Sequence, residues 1–176
     1  MPISASPARL SMPKADYQRA KWLIFFLIVP LIVAADQLTK SWIRSYPEGS
    51  TIYEAGLLRI VNIENTGAAF GLFQAHSTLL MFIDFLAIAL ILAYFLILSR
   101  RFRFFTSPVG WIGLSLIFAG TSGNLIDRLN PGIRGITDFL YIGIWPAFNV
   151  ADSAITVGVI LLVYSLLFVK VKSESS

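Results

Sequence analysis

The sequence predicts an all-α polytopic membrane protein: four transmembrane helices with a small extracytoplasmic β-cradle between helices 1 and 2. Three observations carry that prediction. The 176-residue chain is 56% hydrophobic and 14% charged, with a mean hydropathy of +0.74, whereas soluble domains carry about a quarter charged residues. Four apolar segments, Trp22 to Ile43, Leu79 to Leu98, Val109 to Ile126 and Phe148 to Val169, each have about the length a helix needs to cross a hydrocarbon core. Between the first two, Tyr46 to Phe73 is too polar and too broken by Gly49, Gly56, Gly67 and Gly71 to span. It holds short β-like runs such as Leu57 to Ile63 instead.

The chain divides into a disordered N-terminal tail over residues 1–20, a membrane domain over 21–170 with an outer β-like insert at 46–75, and a C-terminal tail over 171–176. Met1 to Arg19 is rich in Ser, Pro and Ala and has no apolar period. The first apolar segment also invites a reading as a cleavable signal peptide ending at Val33-Ala34-Ala35. The basic region before it is too long for one, and its removal would spoil the even number of spans. Pro30 is expected to kink this helix without ending it.

Charge sets the orientation. Arg9, Lys14, Arg19, Lys21, Arg100, Arg101, Arg103, Lys170 and Lys172 fall on one side of the four spans. Lys40, Arg44, Arg59, Arg128 and Arg134 fall on the other. The positive-inside bias places both termini and the Arg100 turn in the cytoplasm. The net charge of +4 is therefore topological; no basic stripe interleaved with aromatics points to a nucleic acid partner. With no cysteine, a thiol nucleophile, a disulfide framework and a thiolate metal site are excluded. His76, the single histidine, cannot build a multi-histidine metal site.

Polar residues then concentrate at the outer ends of the spans. Asp36 and Lys40 lie one helical turn apart, and alone they would read as an interfacial ion pair. Asn65-Thr66-Gly67-Ala68-Ala69-Phe70-Gly71 is a run of small residues that lets backbone approach a partner closely. The second span holds Asp84, which is expected either to face the bundle and find a hydroxyl or amide partner or to sit neutral near the headgroups. The third carries Gly110, Gly113, Gly120 and Gly123, which favour close helix packing, and ends with Asn124, Asp127 and Arg128 on one face. After the Asn130-Pro131-Gly132 turn, Asp138 lies on a loop. Asn149 and Asp152 open the fourth span at the same i, i+3 spacing, with Thr156 a turn further on.

Carboxylates at such depth usually mark a site. If Asp138 and Asp152 meet in a poorly hydrated place, one holds a proton while the other stays charged. Such a pair can activate water and protonate a leaving amine without metal, thiol or imidazole. A Ser-His-Asp triad would need His76, which lacks a nucleophile-elbow context. A Ser41–Lys40 dyad would join helical neighbours that point apart. Three other readings compete. A transporter or proton relay would need a polar path to the cytoplasmic side; a metal-dependent lipid phosphatase would use Asp36, Asp127, Asp138 and Asp152 as oxygen ligands; a purely structural bundle would have to bury several polar residues at cost.

Five ordered blocks bring a resemblance: DQLTK at Asp36 to Lys40, NTGAAFG at Asn65 to Gly71, GTSGNLIDR at Gly120 to Arg128, TDF at Thr137 to Phe139, and FNVAD at Phe148 to Asp152. Spread from Trp22 to Val169, they resemble the lipoprotein signal peptidases, the type II signal peptidases of bacteria. The resemblance implies an aspartic endopeptidase of the cytoplasmic (inner) membrane, active near its outer face and inhibited by globomycin-like cyclic peptides. Its substrate would be a diacylglyceryl prolipoprotein, cut just before the lipidated cysteine. A single chain among membrane lipids, without metal or other cofactor, is expected to suffice. The family's catalytic aspartates fall on Asp138 and Asp152. Its supporting residues fall on Asp36, Lys40, Asn65, Gly67, Asn124, Asp127, Arg128 and Asn149. Two departures are small: Thr121 and Ser122 follow Gly120 where glycine then alanine is usual, and Thr137 stands where valine is usual. Asp84 has no counterpart in the pattern.

Overall fold

The computed structural model describes residues 14–67, 77–99 and 107–168. Helix α1 covers Lys14–Ile43, strand β1 Thr51–Ala55, strand β2 Leu58–Asn65, helix α2 Ser77–Ala93, helix α3 Pro108–Leu129, strand β3 Ile136–Ile142 and helix α4 Val150–Phe168. A π-helical turn, Tyr94–Leu98, continues α2. Four stretches are long and apolar enough to cross a membrane: Gln18–Ile43, Thr78–Leu98, Pro108–Leu129 and Val150–Phe168. They match the four segments read from hydropathy to within a few residues at each end.

Helix α1 starts earlier than expected. Residues 14–20, assigned above to a disordered tail, are already helical. Pro13 is the last helix breaker before the span, and the Ala, Gln, Lys and Arg residues that follow extend a helix readily. The helix also runs through Pro30. The Arg100 turn, His76 and residues 68–71 of the NTGAAFG run lie outside the described residues.

Helix α3 is the centre of the bundle. It contacts α1, α2 and α4, and its four glycines are buried. Gly113 and Gly158 let α3 and α4 touch backbone to backbone: a Cβ on Gly113 would stand 2.8 Å from the Gly158 carbonyl oxygen, and one on Gly158 would stand 2.7 Å from that of Gly113. Away from the site, Phe25, Ile91, Tyr94, Phe95 and Leu114 form an apolar core, with the Phe25 and Phe95 rings 4.9 Å apart. The buried Lys21 ammonium ties α1 to the π turn, donating to the Phe95 carbonyl at 2.9 Å and to Ser99 Oγ at 2.7 Å.

The cradle differs from expectation in one respect. Its sheet has three strands in the order β1-β2-β3, all antiparallel, and β3 comes from the connection between α3 and α4, outside the 46–75 insert. Asp138 is thus on a strand and not on a loop, opposite Ile63. The run Ile136-Thr137-Asp138-Phe139-Leu140-Tyr141-Ile142 is rich in β-branched and aromatic residues, which suit a half-buried strand. Gly143, with φ +61°, then turns the chain, and Phe148 returns to pair with Leu140. That return brings Asn149 beside Asp138.

Candidate active site

Asp152 is placed by a reciprocal helix cap. Asn149 precedes α4, and its side-chain oxygen accepts the Asp152 backbone N–H at 2.9 Å; Asp152 Oδ2 accepts the Asn149 backbone N–H at 3.2 Å. This is the capping-box arrangement, with Asn and Asp in place of the commoner Ser/Thr and Glu/Gln. The cap leaves the Asn149 amide free to point elsewhere. It donates to Asp138 Oδ1 at 2.7 Å, so one residue links the two carboxylates, reaching that of the strand with its side-chain amide and that of the helix with its backbone N–H.

Asp138 is held from the opposite side by Asn65 at the end of β2, whose amide donates to Asp138 Oδ2 at 2.9 Å. The Asn65 side-chain oxygen accepts the Gly67 N–H at 3.0 Å, an Asx turn that fixes which way the amide faces. Gly135 has to be small here, because a Cβ would collide with the Asn65 backbone. Asn124 completes the set by donating to Asp152 Oδ1 at 2.8 Å. From the described residues each of the four carboxylate oxygens therefore accepts one donor, and a carboxylate oxygen can accept about two. Burial pushes the Asp138 carboxyl up to about 7, with the Asp152 charge adding to the rise; Asn65, the Lys40 charge and Asn149 oppose it.

Beneath the pair lies a four-charge cluster. Lys40 and Asp36 pair at 2.8 Å and Lys40 and Asp127 at 3.2 Å, with all three side chains fully buried. The Asp36–Lys40 contact is thus no interfacial pair. Lys40 places a third proton on Asn124 Oδ1 at 3.0 Å, and so reaches the residue that holds Asp152. Asp36 Oδ1 accepts the Ala151 N–H at 3.0 Å, satisfying an orphan donor in the first turn of α4. Gly123 allows this approach, since a Cβ there would stand 2.6 Å from Asp36 Oδ2. Arg44 pairs with Asp127 at 2.6 Å and donates from Nε to Thr137 Oγ1 at 2.7 Å. Asp127 also accepts the Thr137 N–H at 3.1 Å, which fixes the strand one residue before Asp138.

All ten residues singled out in the sequence have a described place. Asp138, Asp152, Asn65, Gly67, Asn124 and Asn149 surround the carboxylate pair; Asp36, Lys40 and Asp127 form the cluster below it. Arg128 turns aside to α2 and pairs with Asp84. Asp84 thus has a guanidinium partner and not the hydroxyl or amide expected. The Thr156 hydroxyl, expected on the same face as Asp152, is spent on the Asp152 carbonyl at 2.9 Å. Arg44, Gln37, Thr137 and Gly135 were missed. For Arg44 a signal was present: Asp36, Lys40 and Arg44 recur every four residues, the spacing of one helix face. Gln37 donates to the Gly123 carbonyl at 3.0 Å, which no local pattern announces. Among the described residues, no group of three or more His, Cys, Asp or Glu side chains is arranged to hold a metal ion.

Four membrane-length helices, with a small sheet across one end and buried carboxylates between, define an integral membrane protein whose polar site is built at one end of its spans. Residues 28–168 match the family model described as signal peptidase (SPase) II. The lipoprotein signal peptidase of Dehalococcoides mccartyi is 43% identical over 145 residues, covering 81% of this chain and 89% of that protein. That of Desulforapulum autotrophicum is 39% identical over 154 residues, covering 82% and 92%. A bacterial membrane enzyme solved by the in meso method at 2.3 Å resolution superposes with a TM-score of 0.73 at 30% identity, covering 86% of this chain and 94% of that one. The chain belongs to the signal peptidase II family and is a membrane protease.

Proposed function

We propose that the chain is an intramembrane aspartic endopeptidase that removes signal peptides from diacylglyceryl-modified prolipoproteins, cutting before the lipidated cysteine, with Asp138 and Asp152 as the catalytic pair. The observation that carries this reading is the Asn149 bridge. It holds two carboxylates from different elements at one buried place, where burial and the neighbouring charge favour a single shared proton. The name lipoprotein signal peptidase on relatives 36–43% identical to this chain supplies the substrate class.

In the proposed reaction the ionised carboxylate takes a proton from water as its oxygen attacks the scissile carbonyl. The protonated carboxyl donates to the developing oxyanion. As the tetrahedral carbon collapses, the C–N bond breaks, the leaving amine takes up the proton first removed from water, and the proton given to the oxyanion returns to its carboxylate as the carbonyl reforms. Asn124, Asn149 and Asn65 keep both carboxylates aimed throughout, and the Lys40 cluster fixes Asn124 and the start of α4. Apolar outer faces of the helices suit acyl chains arriving from the bilayer. Both termini are placed in the cytoplasm and the site near the outer face, on the lysine and arginine bias described above. Inhibition by a globomycin-like peptide and action as a single chain belong to the same reading.

The test uses the full chain in detergent with a diacylglyceryl prolipoprotein. Asp138→Asn and Asp152→Asn should each lose cleavage while remaining folded, with EDTA leaving the wild type unaffected. Full cleavage by either variant would sink the pair. Loss of wild-type activity in EDTA would transfer the chemistry to a metal.

A further inference from the structure

Asp84 is the one intramembrane carboxylate that the proposed reaction does not use and the family pattern does not explain. It lies on α2 among lipid-facing side chains, including the exposed Phe82, Ile83, Phe85 and Leu86. Its carboxylate pairs with Arg128 across the α2–α3 boundary, with only 15% of the Asp84 side chain and 8% of the Arg128 side chain exposed. Asp84 is also close enough to Asp152 for the two charges to interact. Arg128 leaves α3 one turn after Asn124, the residue that donates to Asp152. Arg128 is thus rooted one helical turn from a residue that holds the carboxylate pair.

The charges around the pair close in a specific way. Lys40 and Arg44 are matched by Asp36 and Asp127. Arg128 is matched by Asp84. Every described cation of the site is thus matched by a carboxylate outside the pair, and among the described residues Asp138 and Asp152 keep no full ionic partner. An arginine cannot discharge by losing its proton. Without Asp84, its charge in a poorly hydrated place would no longer be cancelled, and its attraction for Asp152, whose charge already acts on Asp84, would favour the doubly ionised pair.

We propose that Asp84 is a positioning residue that holds Arg128 away from Asp152 and cancels its charge, so that Asp138 and Asp152 retain their shared proton near neutral pH. The groups facing Asp84 are Arg128 from α3 and Asp152 from α4. This inference rests on the reading of Asp138 and Asp152 as the catalytic pair.

The experiment records kcat/KM against pH for cleavage of a diacylglyceryl prolipoprotein by the full chain in detergent. A pair that works with one proton gives a bell whose two limbs report its two titrations. Asp84→Asn leaves Arg128 unmatched, and both limbs should move to lower pH by about one unit, the lower end of what an adjacent opposite charge produces. Arg128→Gln leaves Asp84 unmatched, and the limbs should move the other way. Asp84→Glu should keep the wild-type limbs. The double variant Asp84→Asn/Arg128→Gln should return them toward wild type, even where the rate itself is reduced. A role as a mere strut lowers the rate and moves no limb, which would overturn the proposal; so would shifts of the same sign in the two single variants. If Asp84→Asn does not fold, the direction of the Arg128→Gln shift decides alone. Failure of the underlying reading is separate, since it appears as retained cleavage by Asp138→Asn or Asp152→Asn.

Discussion

The side-chain amide of Asn149 donates to Asp138 Oδ1 at 2.7 Å, so the residue that caps α4 also grips the carboxylate of β3. Cap and grip use different atoms and are separable by substitution. Asn149→Ser should retain the cap, because a serine hydroxyl also accepts the N–H of the first turn. It should lose the bond to Asp138 and, with it, about 10- to 100-fold in cleavage rate, the equivalent of one hydrogen bond to a charged group. Asn149→Ala should match that loss and lower stability by about 1 kcal/mol more. Thermal unfolding and initial rates on the two variants decide it; equal stability would detach the cap from the site.

Lys40 gives protons to Asp36, Asp127 and Asn124 with no exposure to solvent. Lys40→Met is expected to destabilise by about 3 kcal/mol, because it strands the buried Asp36 and leaves Asp127 with Arg44 alone. Asp36→Asn/Lys40→Met should recover part of that loss. A melting temperature for Lys40→Met within a degree of wild type would show that the cluster is not held as described.

Stability should depend on pH through Asp138. Its folded-state value of about 7 lies above the ordinary 3.8, so the folded chain keeps a proton that the unfolded chain releases between those values. The stabilisation is then fully present below about pH 4 and is lost as pH rises toward 7. The difference in thermal stability between wild type and Asp138→Asn, followed from pH 4 to 8, isolates this group from the other carboxylates. A difference that moves in favour of the wild type as pH rises through that window would reverse the assignment.

Close packing of α3 on α4 predicts a contrast between two glycines. Gly158→Ala drives a methyl to 2.7 Å from the Gly113 carbonyl oxygen, a backbone atom that cannot step aside. A loss of about 1 to 3 kcal/mol is expected from such overpacking. Gly132→Ala, in the exposed turn after α3, meets only the Asn130 side chain at 3.3 Å and should leave the melting temperature unchanged. Unfolding of both variants in the same detergent checks the pair.

The four spans were legible because hydropathy is a local property: each residue reports its solvent without reference to a partner. Asp138, Asp152 and the residues around them were legible from their cost at depth and from the ordered blocks. What escaped was pairing across distance. Strand β3 has a β-rich composition, yet its partner β2 lies far back in the chain, with 73 positions separating Asn65 from Asp138. Without that partner in view, the aspartate reads as a loop residue. Arg44 was counted as a topological charge although its helical spacing from Asp36 and Lys40 pointed inward. Asp84 and Arg128 sit on different helices, and nothing local to either names the other.

The late arrival of β3 has a consequence for how the molecule is made. Helices α1 and α2 and the β1–β2 hairpin leave the ribosome well before the strand and helix that carry Asp138 and Asp152. Until that final stretch emerges, the hairpin has an open edge, and Asp36 on α1 lacks the first turn of α4. A partly synthesised chain therefore lacks both carboxylates of the buried pair, which is assembled only when the last loop folds back.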